Sequence, residues 1–153
     1  MTFDQYGNLT PYEVIETDLQ TFEKTFVTDF PTSTTRRAIF EAYGQYVADL
    51  RQIVGAGFYQ WIDGSFTTQK LNPPDIDFIS WIDLKIYELP NRKLNELRNL
   101  RFKKDALIDG YILPCYPAGH RKENINEINE KQWLFDWTRD DYKNPKGLIK
   151  LNF

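Results

Sequence analysis

Cysteine is almost missing from this chain: Cys115 is the only one. That excludes a disulfide framework and a multi-cysteine zinc site, and it reads as a small buried hydrophobe. No run of 18 apolar residues occurs, and Met1 to Thr10 lacks the basic-then-apolar order of a secretion signal. Positive charge is not in excess: 19 Lys and Arg stand against 22 Asp and Glu, a net charge of −3. This argues against binding long nucleic acid through the whole surface but leaves room for a local basic patch. Neither an internal repeat nor a low-complexity tract is apparent, and Gly and Pro are scattered. What is present suffices for a core. At 153 residues, 41% of them hydrophobic, the chain fits one domain and is too apolar for a disordered segment. A soluble, cytoplasmic globular protein without membrane association is the expectation.

Hydrophobic periodicity outlines the elements. Phe40, Tyr43, Val47, Leu50 and Val54 recur in steps of three and four, so a helix is expected over residues 33–54. Ser33 or Thr34 is its expected N-cap, and Gly55 and Gly57 follow where left-handed backbone is needed. Residues 58–63, 75–84, 106–113 and 147–153 read as strands. Residues 91–104 read as helical, while 123–137 are ambiguous. Gly7-Asn8 marks a turn, and Tyr12, Val14, Leu19, Phe22 and Phe26 fit an extended arm or short helix packed on the body. The fold class is therefore α/β or α+β, a small mixed sheet with helices on one side. Along the chain this gives an arm (1–32), a core (33–113) and a tail carrying the last strand (114–153).

The chemistry concentrates in one stretch. A strand ends at Asp63-Gly64-Ser65, and Asp75-Ile76-Asp77-Phe78 opens the next one. Gly64 permits a sharp turn and close approach to a ligand. Ser65 and the amides after it would favour phosphate oxygens. Asp75 and Asp77, two apart on a strand, point to one face, and Ile76 and Phe78 to the other. Paired carboxylates repel unless a cation lies between them, and hard oxygen ligands suit Mg²⁺ held together with substrate phosphates. A phosphate-binding turn beside such a pair describes a phosphoryl- or nucleotidyl-transfer site.

Gly-Ser, a spacer of nine and then Asp-apolar-Asp-apolar resembles the signature of the polymerase-β-like nucleotidyltransferase superfamily. The resemblance implies a minimal fold of small mixed sheet and flanking helices. It implies that Gly64 and Ser65 hold a nucleoside triphosphate and that Asp75 and Asp77 bind Mg²⁺ or Mn²⁺. A third carboxylate from a later strand would complete the site. Asp109 is the best match and Asp105 the runner-up, following Lys103-Lys104 at an apparent helix end. Tyr116-Pro117-Ala118-Gly119-His120, Thr138-Arg139-Asp140 and the segment Asn144-Pro145-Lys146-Gly147-Leu148-Ile149 extend the likeness. They are similar to a group of small nucleotidyltransferase-like proteins of bacteria and mobile elements, some of which act in toxin–antitoxin pairs. The activity implied by this resemblance is transfer of NMP from an NTP to a hydroxyl on a protein or RNA. The alternative is an inactive binding module, an antitoxin or regulatory partner.

The remaining polar residues admit two readings each. Lys70, Arg139 and Lys146 are candidates for phosphate contacts, against ordinary surface charge. The run Arg92, Lys93, Arg98, Arg101, Lys103 and Lys104 can hold tRNA or a partner's acidic surface, against a solvated helix face. His120 reads as structural, because the superfamily's chemistry uses carboxylates. Trp61, Trp81, Trp133 and Trp137 read as packing residues.

Overall fold

The computed structural model describes residues 1–153. Seven strands and five α-helices follow in the order β1 (Thr2–Phe3), β2 (Leu9–Thr10), β3 (Val14–Thr17), α1 (Leu19–Glu23), α2 (Arg36–Val54), β4 (Tyr59–Asp63), β5 (Ile76–Asp83), α3 (Leu84–Glu88), α4 (Arg92–Arg98), β6 (Ile108–Cys115), α5 (Asn124–Trp137) and β7 (Leu148–Asn152). A π-helical turn over Lys24–Thr28 continues α1, and 3₁₀ turns occupy Ser65–Thr67 and Leu100–Phe102. The fold is mixed α/β, as the sequence predicts. Its sheet runs β3-β7-β4-β5-β6, with β1 and β2 forming a separate hairpin. β4 pairs antiparallel with β5 and β7, whereas β5–β6 and β3–β7 are parallel. The sheet thus draws strands from the arm, the core and the tail, and the tail's β7 lies inside it. No helix is long and apolar enough to cross a membrane.

Alternation along the strands divides the side chains between two faces. Ile62, Ile76, Phe78, Ile82, Ile108 and Ile112 meet Ile39, Tyr43, Tyr46 and Leu50 of α2 and Leu94 and Leu97 of α4. Trp61, Ile79, Trp81 and Leu148 face the other way, against Trp133, Leu134 and Trp137 of α5. Helices therefore cover both faces, not one. The expectation failed because α5 packs only two tryptophans and a leucine there, too sparse a stripe to register as periodic. All four tryptophans pack, as expected.

Local signals explain the helix ends. Helix α2 begins three residues later than expected, so its N-cap is Thr35 and not Ser33 or Thr34, although Ser33 Oγ still accepts from the Arg36 amide at 3.2 Å. Gly55 closes it with φ near +75°. Asn91 caps α4 through the Leu94 amide. Helix then gives way to the turn at Leu100–Phe102, so residues 91–104 are only partly α-helical.

Candidate functional site

Three carboxylates stand in a row across neighbouring strands. Asp63 of β4 lies in register with Asp77 of β5, and Asp77 with Asp109 of β6. All three belong to the α5 face, and Asp75 lies two residues before Asp77, immediately ahead of β5. The sequence pairing of Asp75 and Asp77 thus gains Asp109 as its in-register neighbour. Asp105, by contrast, sits exposed in a turn with φ near +56°.

The Gly64-Ser65 turn packs directly on this row. Gly64 has φ near +72°, and a Cβ there would collide with Asp77 Oδ2. Glycine is required at this point by both conformation and space. The 3₁₀ turn of Ser65–Thr67 follows, braced by Thr68 Oγ1 donating to the Ser65 carbonyl at 2.8 Å. Gly110 plays a matching part behind Asp109, since a Cβ there would come within 2.6 Å of the Phe78 ring.

Electrostatics follow from burial. Asp77 is pushed up to about 7, first by burial and then by Asp75, Asp109 and Asp63, with only Lys146 opposing. Burial raises Asp75 too, aided by Asp109 and opposed by Lys70. Asp63 is raised to about 6 by burial, despite Lys146. The Lys146 Nζ lies 2.8 Å from Asp63 Oδ1 and donates to the Gly64 carbonyl at 3.3 Å. Lys146 is 4% exposed, so its reading as surface charge is overturned. Its ammonium is desolvated, and Asp63 supplies the counter-charge that makes burial tolerable. At the other end Arg101 pairs with Asp109 at 3.0 Å and stacks over Tyr111 at 3.5 Å. Arg101 therefore does not belong to a merely solvated helix face.

The donor set fits the expected divalent cation in its chemistry: carboxylate oxygens only, with mutual repulsion that a cation would relieve. The closeness is incomplete, because no group of three His, Cys, Asp or Glu side chains is near enough to hold a metal ion as the side chains stand. Asp109 leans on Arg101 instead.

Beside the row opens a cleft of about 780 Å³ that is lined by Gly64, Ser65, Lys70, Arg139 and Lys146, all five expected phosphate-contacting residues. Lys70 and Arg139 are both exposed there. Asp75, Asp77 and Asp109 do not line the cleft itself. His120 lies elsewhere, stacked on Tyr116 with its Nδ1 accepting from the Lys122 amide, a structural role as expected. Cys115 is only half-buried, contrary to expectation, because it sits at the end of the sheet's edge strand.

Sequence reasoning missed three contributors. Asp63 carries a signal, since pairing the two flanking strands places it opposite Asp77, but the long spacer hides the register. Arg101 is hidden within a basic run. Arg36 gives no signal at all. Its guanidinium is buried and donates to the carbonyls of Phe26, Phe66, Thr68 and Lys70 at 2.6–2.8 Å. One side chain thereby fixes the path of the loop after Ser65.

Fold and site define a mixed α/β protein with a carboxylate row beside a glycine-serine turn. The chain belongs to the Family of unknown function (DUF6932), whose model matches residues 1–152. No curated protein and no solved structure matches it.

Proposed function

We propose that the protein is a divalent-metal-dependent nucleotidyltransferase that moves NMP from an NTP to a hydroxyl acceptor. The observation that carries this reading is the in-register pair Asp77 and Asp109, with Asp75 adjacent and Gly64 pressed against Asp77. The resemblance of Gly64-Ser65 and Asp75-Ile76-Asp77-Phe78 to the polymerase-β-like signature supports it.

Asp75, Asp77 and Asp109 would hold Mg²⁺ or Mn²⁺, which supplies charge neutralisation at the triphosphate. Gly64 and Ser65 receive the phosphates, and Lys70 and Arg139 offer cations in the same cleft. Lys146 keeps the turn in place through the Gly64 carbonyl. Asp109 takes up the proton of the attacking hydroxyl. That oxygen bonds to the α-phosphorus, the bond to the bridging oxygen breaks, and pyrophosphate leaves. Positioning and charge account for the rate, without covalent catalysis. The acceptor is a protein side-chain hydroxyl or an RNA end, in a toxin–antitoxin or defence setting. Transfer from α-labelled NTP with Mg²⁺ or Mn²⁺ tests the reading. Label should appear on acceptor with wild type and vanish with Asp75→Ala plus Asp77→Ala. Equal labelling by both overturns it.

One observation favours a second reading. Both outer carboxylates already have cationic partners, Lys146 on Asp63 and Arg101 on Asp109. A binding module, serving as antitoxin or regulatory partner without turnover, has no need to release them. Calorimetry showing no metal-dependent NTP binding would favour this second reading.

A further inference from the structure

Two loops near opposite ends of the chain are copies of one another. Asp4-Gln5-Tyr6-Gly7-Asn8 and Asp140-Asp141-Tyr142-Lys143-Asn144 share Asp at the first position, Tyr at the third and Asn at the fifth. Their hydrogen bonds also coincide. In the first, Asp4 Oδ1 accepts from the amides of Tyr6 and Asn8 at 2.8 and 2.9 Å. In the second, Asp140 Oδ1 accepts from the amides of Tyr142 and Asn144 at 2.9 and 2.8 Å. Each Asp amide donates to the Asn carbonyl of its own loop at 2.9 Å, and the fourth residue of each has positive φ, +79° at Gly7 and +65° at Lys143. The sequence shows no repeat here, because two five-residue segments separated by most of the chain make no period.

These loops meet. The buried Asn8 side chain donates to Asp140 Oδ2 at 3.0 Å and to the Pro145 carbonyl at 3.3 Å. Both tyrosines line the cleft that also holds Gly64, Ser65 and Lys146, and Trp137 lines it with them. Yet Tyr6 is 60% and Tyr142 87% exposed, and neither phenol is hydrogen-bonded. Two braced loops, clamped to each other, hold two large rings in water, in a cleft where Lys70, Arg139 and Lys146 stand among Asp63, Asp136, Asp140 and Asp141. Ordering such loops costs conformational entropy, and the rings, Tyr142 above all, recover little of it by packing in the protein. A ligand that stacks would recover it.

We propose that Tyr6 and Tyr142 form an aromatic seat for the planar base of a nucleotide whose phosphates lie at Gly64-Ser65. This rests on the reading of that turn as a phosphate site and extends it to the other half of the ligand. Stacking on tyrosine is tolerant of base identity, so the seat raises affinity for nucleotides in general.

The test compares two probes by calorimetry in MgCl₂: ATP, and inorganic tripolyphosphate, which lacks the base. Wild type should bind ATP more tightly than tripolyphosphate. Tyr6→Ala and Tyr142→Ala should each weaken ATP about 5-fold to 100-fold, the range for one stacked base, and leave tripolyphosphate unchanged. Tyr6→Trp and Tyr142→Trp should keep ATP binding, which a merely structural tyrosine would not explain. The seat is overturned if ATP binds no better than tripolyphosphate while both bind. It is also overturned if the alanine variants weaken both probes equally. If neither probe binds, the phosphate site and the seat fall together. Tyrosine-dependent ATP binding without label transfer would uphold the seat and remove only the transferase reading.

Discussion

The two faces of the sheet are built from the same strands under opposite rules. On the α2 side, Ile76, Phe78 and Ile82 of β5 are buried among apolar and aromatic neighbours, and Gln60 between them is paired with Tyr43 and Ser80. On the α5 side, residues one step along the same strands are Asp63, Asp77 and Asp109. Apolar packing gives out towards one end of those strands, and charges take over. The difference teaches that the first face is organised for stability. The second tolerates repulsion among acids that a bound cation would relieve.

The largest effect that tests this division comes from the packed face. Phe78→Ala removes a fully buried ring in edge contact with Tyr43 and Tyr46, and denaturant unfolding should show a loss of about 3–5 kcal/mol. A loss as small as that of a surface residue would break the comparison.

Asp77→Asn should behave in the opposite way. Label transfer should fall at least about 100-fold, in line with removal of a charge-stabilising group. The metal-free protein should nevertheless become more stable at pH 8. The sign follows from the raised carboxyl. Its ionised form is disfavoured in the folded state, so stability is highest below its unfolded value of 3.8 and falls as pH rises to about 7. Thermal midpoints of the metal-free wild type should decline across that window. In Asp77→Asn the decline should be shallower, with the Asp63 contribution, lost between 3.8 and about 6, remaining. Parallel profiles for the two proteins would place the strain elsewhere.

Arg101→Met sharpens the comparison within the charged face. Freed of its guanidinium, Asp109 should be open to a cation, and Mg²⁺ should raise the thermal midpoint at lower concentration than in wild type, by a shift of severalfold. A variant that needs more Mg²⁺ would show Arg101 to be an organiser of the site instead. The smallest effect is expected on the outside of α5. Lys131→Ala breaks an exposed pair with Glu127 and should leave the thermal midpoint within measurement error of wild type, with transfer unaltered.

Strands β4, β5, β6 and β7 and helix α2 are legible in the sequence because their apolar spacing is dense, and glycine or serine also marks the ends of β4, β7 and α2. The pair Asp75 and Asp77, and Gly64 beside it, are legible because strand parity and a tight turn are local properties. The strand role of Val14–Thr17 is not, since β3 is half-exposed and pairs only with a segment far along the chain. Burial of Lys146 is equally hidden, because a lysine buries only when a distant partner such as Asp63 is brought to it. Arg36 shows the limit most clearly. One carbonyl from Phe26 and three from the loop of Phe66 to Lys70 surround its guanidinium, and carbonyls carry no sequence signature.

The place of β7 between β3 and β4 also bears on how the chain is made. Thr17 must wait for Leu151, its partner, while everything between them is synthesised. Until then β3 and β4 lack their common neighbour, and each presents an open edge to the cell. Such long-range pairing is slow to form and exposed to wrong partners meanwhile. The hairpin of β4 and β5, which carries the turn and two of the carboxylates, can form long before it. Nascent chains should therefore own the core of the site before they own a complete sheet.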